Sequence, residues 1–407
     1  MSDLSPIEEA IAAYGRGEFL VVVDDEDREN EGDLIIAADA IDEKKMAFMI
    51  RHTSGVICAP MPDEIADQLD LPLMVVDNTE SMRTAFTVTV DFRHNTTTGI
   101  SAADRVATLQ ALASPTPNPT DFARPGHIFP LRAREGGILK RAGHTEAAVD
   151  LGRLSGRSEV GVLCEIVNDD GTMARLDDLV PFAKEHGFHL ISIADLIKWR
   201  RRSEKLVERF ATARMPTRHG ELDAVAYRSI VDDEEHVAFV MGDVTTPGDV
   251  LVRVHSECLT GDIFGSLRCD CGSQIEAALE AIAAEGRGVV VYLRGHEGRG
   301  IGIGHKLRAY ELQDEGHDTV DANTLQGLPV DSREYGIGAQ ILNDLGVTKM
   351  RIMTNNPSKY SGLQGFGLEI VERVSLNTAP NPENLHYLQT KRNRLGHDIN
   401  TNEESAS

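Results

Sequence analysis

The sequence predicts an α/β (α+β) protein of two mixed-sheet domains, each with flanking helices, joined by a basic helical connector. Three observations predict it. Both halves alternate short β-branched runs with stretches of helical period. A chain of 407 residues exceeds what one hydrophobic core comfortably serves. Composition also changes abruptly at "KWRRRSEKLVERFATAR", residues 198–214, a basic stretch in an acidic protein. Pro216 follows and cannot continue a helix, so the expected domains are 1–200 and 201–407, with a polar, disordered tail over about 398–407.

In chain order, Ser5-Pro6-Ile7-Glu8 reads as a helix start with Ser at the N-cap, Pro at N1 and Glu at N3. "FLVVVDD" is the first strand. "TTTGISAADR" offers Ser101 as an N-cap with Asp104 at N3, a helix start suited to an anion. In the second half "VAFVMGDV", "DVLVRVHSE", "GVVVYLRG" and "KMRIMTNN" read as strands, with "SQIEAALEAIAAEG" as a helix between them. Sheet order cannot be read from these patterns.

Acidic residues outnumber basic ones 65 to 41, a net charge of -24, which argues against a nucleic-acid partner. A small anion needs only a few local cations. The longest apolar runs, "FLVVV" and "GVVVYL", are strand-length, so no membrane partner is expected. "MSDLSPIEEAIAAYG" has no signal-peptide pattern, which makes the cytoplasm the expected location. Five cysteines in a reducing compartment point to metal binding or catalysis rather than disulfides.

Three of the five, Cys258, Cys269 and Cys271, fall within fourteen residues. Three thiolates make a tight zinc site, whose fourth position decides between a closed structural site and an open catalytic one. His255 could close it. Strand alternation instead puts Arg253, His255 and Glu257 on one polar face, fit to meet a small molecule. Ser273-Gln274-Ile275-Glu276 reads as a capping box, with Cys271 just before a helix start. "VVVYLRGHEGRGIGIGHKLRAY" then gives a strand, a loop with Gly295, Gly298, Gly300, Gly302 and Gly304, and a helix. It is neither a Walker A loop nor a dinucleotide fingerprint. With Arg299, Lys306 and Arg308 close by, it suggests a phosphorylated substrate meeting a metal-activated water.

The first half has its own cluster in "VVVDDEDRENEGDLI", with Asp27, Glu29, Glu31 and Asp33. A solvated loop and a Mg²⁺ site both fit this pattern. "RPGHIFPL" and "RAGHTEAAVD" each place a His after Gly, His127 and His144, with Arg141 and Thr145 able to hold phosphate.

"RVHSECLTGDIFGSLRCDCG", "RGHEGRGIG", "DTVDAN", "DSREYGIGAQIL" and "TNNPSK" together resemble the GTP cyclohydrolase II family across the second half. The resemblance implies zinc on Cys258, Cys269 and Cys271, a water that attacks C8 of guanine, loss of formate and release of pyrophosphate, with Mg²⁺ accompanying GTP. It implies GTP contacts from Arg253, Val254, His255, Ser256, Glu257, Gln274, Glu297, Gly298, Arg299, Thr319, Thr354 and Lys359. Asp331 is implied as the general base and Arg333 as a nucleophile at the α-phosphorus. A guanidinium is essentially always protonated, so stabilising the leaving pyrophosphate is an equal reading for Arg333.

The acidic loop, the two His stretches and "GVLCEIVNDDGTMAR" resemble 3,4-dihydroxy-2-butanone 4-phosphate synthase over roughly residues 5–200. That family converts ribulose 5-phosphate to a four-carbon phosphate and formate with Mg²⁺ (or Mn²⁺), at a site on a homodimer interface. Carried over, Glu29 and His144 bind the metal. Arg28, Glu29, Asp33, Arg141, Ala142, Gly143, His144, Thr145 and Glu165 touch substrate, and His127 and Glu165 are catalytic. Cys58 and Cys164 match no ligand and read as small core residues. The two halves together resemble the bifunctional riboflavin-biosynthesis family. Two other readings compete: a sugar-phosphate aldolase or isomerase fused to a zinc nucleotide hydrolase, and a structural-zinc, RNA-associated protein.

Overall fold

The computed structural model describes residues 4–25, 28–231, 234–328, 335–356, 367–376, 379–395 and 398. Two compact units divide at Arg200 and Arg201. Each is built on a seven-stranded mixed sheet with helices against it.

The first sheet comprises β1 (Leu20–Val23), β2 (Gly32–Ala37), β3 (Cys58–Pro62), β4 (Val90–Phe92), β5 (Phe122–Ala133), β6 (Gly161–Glu165) and β7 (His189–Ser192). They lie in the order β4-β5-β3-β6-β2-β1-β7. Both faces are covered, which is why "LVVV" alternates between two cores. Val21 and Val23 join one cluster with Leu34 and Val162, while Leu20 and Val22 join the other with Ile35 and Ile191. Cys58 and Cys164 are buried in these cores, as read from the sequence. Antiparallel pairing of β2 with β6 sets Asp33 beside Glu165. Apolar burial therefore fixes the register, and the register brings two carboxyl groups together.

The second sheet comprises β8 (Val207–Thr217), β9 (Gly220–Ser229), β10 (Glu235–Met241), β11 (Val250–Ser256), β12 (Gly288–Leu293), β13 (Lys349–Met353) and β14 (Glu369–Val374). Their order is β14-β13-β11-β12-β10-β9-β8. β8 to β10 and β12 form an antiparallel meander, and β12, β11, β13 and β14 run parallel. In β11, Val250, Val252 and Val254 point into one core. Arg253 and His255 therefore face the other side, near the carboxyl ends of the parallel strands where α/β sheets hold ligands.

Three local expectations need correction. The connector is helical only to Ser203; residues 207–217 form edge strand β8, paired with β9. Its Arg, Glu and Ala content favours a helix locally, but pairing in a hairpin overrides propensity, and an edge strand tolerates Pro216. The first helix spans Ile7–Gly15, with Pro6 rather than Ser5 at the N-cap. Ser5 is drawn to β7 instead: its N–H donates to Leu190 O at 2.7 Å, and its Oγ accepts from Leu190 N–H at 3.3 Å. The helix after the cysteines begins at Cys271, so Ser273 lies inside it and does not cap it. Ser101 does cap its helix, accepting from Asp104 N–H at 3.1 Å. No helix among the described residues is long and apolar enough to cross a membrane.

Two candidate active sites

The first site starts where β1 ends. Asp24 folds the acidic loop around itself: Oδ1 accepts from Glu31 N–H at 2.9 Å, and Oδ2 from Glu29 N–H at 3.2 Å and Arg28 Nη1 at 2.8 Å. This turns Glu29 towards His144, so that Asp24, Glu29 and His144 each offer one ligand atom, all within 4.8 Å of one another. His144 opens the helix His144–Ser155 and is buried. Its Nε2 lies 3.1 Å from Val22 O, a partner that can only accept, so Nε2 carries the proton and Nδ1 keeps a lone pair. Burial lowers His144 to about 4, leaving it neutral, as metal ligation requires. Two carboxylates and a neutral imidazole fit a hard divalent cation.

Beside them, burial raises Asp33 well above the usual carboxyl range, and the charges of Glu165, Glu29, Glu31 and Asp24 add to this. Asp33 Oδ1 is buried with no hydrogen-bond partner among the described residues. Glu165 accepts from Ser54 Oγ at 2.6 Å. On the other flank, a Cβ on Gly143 would lie 2.4 Å from Arg141 Nη1 and 3.0 Å from Arg28 Nη2. Two guanidinium groups thus converge on the N-cap of a helix, together with Glu146 Oε2 at 2.9 Å from the same point. Arg141 is paired with that carboxylate, while Arg28 is paired with Asp24 and Glu29. Thr145 is buried in the first turn of that helix, and Ala142 packs on the core.

His127 is paired with Asp91, Nδ1 to Oδ2 at 2.7 Å, and is the more exposed partner. At the helix start before Ala102, read as an anion site, Ser101 Oγ accepts from Asp104 N–H. Asp104 accepts from Thr97 N–H, Thr97 Oγ1 and Gly99 N–H, and so presses that loop onto His127 and Asp91. Asp27 lies outside the described residues. Asp24 was missed in the sequence because its neighbours carry the same charge.

In the second unit the sulfurs of Cys258, Cys269 and Cys271 lie within 4.8 Å of one another, with Cys258 and Cys269 at 3.8 Å. Sulfurs on one tetrahedral zinc, at bonds of about 2.3 Å, stand about 3.8 Å apart. Gly261 makes room for them, since a Cβ there would lie 2.6 Å from the Cys269 sulfur and 3.1 Å from that of Cys258. Hydrogen bonds from Cys269 and Cys271, reinforced by the Lys306 charge, pull Cys258 far down, while Cys269 is pushed up to about 11. Cys271 is likewise raised well above the usual thiol value by its two neighbours and by burial, so the three sulfurs resist ionising together unless a cation binds among them.

His255 stands outside this trio. Its Nε2 is 3.0 Å from both oxygens of Asp262, which also accepts from Tyr292 OH at 2.9 Å and from Cys258 N–H at 3.0 Å. Asp262 thus holds the His255 ring as its own partner, and His255 is not grouped with the three sulfurs.

A cavity of about 220 Å³ opens over the cysteines. Of the residues expected from the sequence, Arg253, His255, Ser256, Glu257, Gln274, Gly298, Arg299, Thr319 and Thr354 line it. Gly298 and Arg299 are both left-handed, at φ 60° and 68°, which curls the loop over the opening. Glu297 lies beneath, accepting from Leu259 N–H and Lys306. The Val254 side chain faces the core instead. Asp331, Arg333 and Lys359 lie outside the described residues. Sequence reasoning did not assign Tyr310, Tyr387 or Lys391 to the site, although all three line the cavity. Lys306 was noted as a nearby cation but not as a partner of the cysteines.

Residues 8–199 match the family model for 3,4-dihydroxy-2-butanone 4-phosphate synthase, and residues 208–375 that for GTP cyclohydrolase II. The chain is 60% identical over 405 residues to the riboflavin biosynthesis protein RibBA of Rhodococcus jostii (strain RHA1), covering 98% of this chain and 97% of that one. Identity is also 60% with the RibBA of Salinispora arenicola (strain CNS-205), over 98% of this chain and 94% of that one. Among solved structures, RibBX of A. baumannii, a two-domain 3,4-dihydroxy-2-butanone 4-phosphate synthase, superposes with a TM-score of 0.69 at 38% identity. It covers 91% of this chain and 99% of that one.

Proposed function

Because the chain belongs to the family that joins 3,4-dihydroxy-2-butanone 4-phosphate synthase to GTP cyclohydrolase II in riboflavin biosynthesis, we propose how its two sites divide the work. Ribulose 5-phosphate and GTP are the substrates that fit the two domains. One observation carries the reading: each unit holds its own metal-competent cluster, of hard ligands in the first and soft ones in the second.

In the first unit, Asp24, Glu29 and His144 hold Mg²⁺ (or Mn²⁺). The ion supplies polarisation of neighbouring substrate oxygens, which eases enolisation. Arg28, Arg141, Gly143 and Thr145 take the phosphate at the helix N-terminus, with Ala142 supporting the turn. Asp33, kept protonated by burial, donates a proton, while Glu165 accepts one beside it. His127, oriented by Asp91, moves a further proton. The exposed run Leu73 to Val76 supports a homodimer, since apolar surface of that kind marks contact sites.

In the second unit, Cys258, Cys269 and Cys271 hold zinc. Zinc supplies Lewis acidity that lowers the pKa of a water towards neutrality. Arg253, His255, Glu257 and Gln274 orient the nucleotide, with Val254 and Ser256 contributing backbone along β11. Gly298 and Arg299, with Thr319, Thr354 and Lys359, take the triphosphate, which Mg²⁺ accompanies. Glu297 anchors Lys306 below. Asp331 serves as general base and Arg333 stabilises departing pyrophosphate. A net charge of -24 supports small-molecule partners rather than nucleic acid.

The test is to incubate purified protein with ribulose 5-phosphate and with GTP separately and to assay formate. Release from both is expected. Release from neither, in metal-loaded protein, would sink the reading.

A further inference from the structure

The helix Leu385–Leu395 lies past residue 375, where the match to the GTP cyclohydrolase II model ends, yet it is built into the second site. Leu388 anchors it, fully buried. One turn on, Lys391 runs inward, and its Nζ meets Asp270 Oδ1 at 2.7 Å, with side chains 10% and 2% exposed. Asp270 is the residue between Cys269 and Cys271.

The contacts continue past Asp270. Its Oδ2 accepts from the Gln274 amide, and Gln274 Oε1 accepts from Arg253 Nη2. Arg253 is held from the other side by Met353 O at 2.8 Å. A buried row therefore runs Lys391, Asp270, Gln274, Arg253, and its far end is the polar face of β11. The same helix sets the Tyr387 ring 4.4 Å from Lys391 Nζ, and Arg394 pairs with Asp318 and Asp321 at the helix that carries Thr319.

A carboxylate buried beside three thiolates is costly without a counter-charge. Lys391 supplies it. Were Lys391 neutral, the next cation along the row would be Arg253. Asp270, which already holds the Gln274 amide, would then also draw on Arg253 in competition with substrate. We infer that Lys391 is a positioning residue for the nucleotide: by neutralising Asp270 it leaves Gln274 and Arg253 presented to the cavity. The inference rests on reading that cavity as the GTP site.

The experiment uses the full chain in five forms: wild type, Lys391→Met, Lys391→Arg, Asp270→Asn and the double Lys391→Met/Asp270→Asn. Zinc per chain, KM and kcat for GTP, and formate release from ribulose 5-phosphate are measured for each. Lys391→Met is expected to raise KM for GTP by about tenfold or more, with a smaller change in kcat. Its zinc content and its ribulose 5-phosphate activity should match wild type. Lys391→Arg, which keeps the charge, should stay near wild type. The double variant should recover much of the lost affinity, because the uncompensated charge is gone; two merely structural losses would add instead.

Unchanged KM in Lys391→Met, zinc loss in that variant, or a double variant worse than either single would each overturn the inference. Should Lys391→Met fail to fold, the double variant decides: near-normal KM supports the role and a raised KM overturns it. A wild-type protein that turns over ribulose 5-phosphate but not GTP would sink the reading of the cavity and this inference with it. Normal wild-type GTP turnover with an unaffected Lys391→Met would sink this inference alone.

Discussion

Lys306 holds its ammonium 3.1 Å from the sulfur of Cys258. The same nitrogen donates to Thr260 Oγ1 at 2.9 Å and to Glu297. Burial works against the charged form of Lys306, but the Glu297 and Cys258 interactions outweigh it and keep the group charged. A cation there would offset the excess negative charge of three thiolates holding a divalent metal, and its contact with the sulfur orients Cys258. Lys306→Met should therefore weaken zinc retention by about tenfold to a hundredfold, the range typical of outer partners of metal ligands. Competition with a coloured zinc chelator measures this directly. Retention equal to wild type would show that Lys306 serves only the loop around Glu297.

The Asp24 side chain is 1% exposed and accepts three hydrogen bonds from its own loop while facing Glu29 and His144. Asp24→Asn keeps the size but loses a charge, and its amide nitrogen cannot accept. It should lower formate release from ribulose 5-phosphate at least about tenfold, and excess Mg²⁺ should restore part of the loss. GTP turnover should be untouched. Full ribulose 5-phosphate activity at low Mg²⁺ would remove Asp24 from the proposed ligand set.

Asp104 carries a prediction about pH. Hydrogen bonds from the Thr97 backbone and side chain, with that from Gly99, hold its carboxyl at about 2 against an ordinary 3.8. A carboxyl lowered by folding stabilises the folded state fully above the ordinary value, and the effect disappears as pH falls through the folded one. Asp104→Asn should melt below wild type at neutral pH, with the gap closing between roughly pH 4 and pH 2. Because this loop packs on Asp91 and His127, activity on ribulose 5-phosphate should fall with it. A melting gap that stays constant down to pH 2 would assign the loss to packing, not charge.

What the sequence disclosed follows from how local each signal is. β1 and β11 were legible because period-two apolar runs bury themselves wherever they pair. The cysteines were legible because their spacing is written in the chain. β8 was misread because "VERFATAR" is locally helical and its partner β9 is known only from the hairpin. Asp24 hid among like charges; only the turn says which carboxylate points inward. Lys391 meets Asp270 across 121 positions, and no motif announces such a contact.

The two sites should also fail separately, because they depend on metals of different hardness. Asp24, Glu29 and His144 would offer oxygen and imidazole ligands to Mg²⁺, an ion that usually keeps several waters, so the site they form should be weak and readily exchanged. Three thiolates bind zinc far more tightly. Brief treatment with a mild chelator should therefore remove ribulose 5-phosphate activity, restorable by Mg²⁺, while zinc stays bound. Glu29→Gln removes one ligand charge at nearly constant volume. It should abolish formate release from ribulose 5-phosphate and leave GTP turnover near normal, provided Mg²⁺ is supplied for the triphosphate. Cys258→Ser should do the reverse, releasing zinc and silencing GTP turnover alone. Both units carry their own core, so neither substitution should unfold the other half. If Glu29→Gln silences both reactions in a protein that still melts in the wild-type manner, the two centres are coupled and the division of labour proposed for them is wrong.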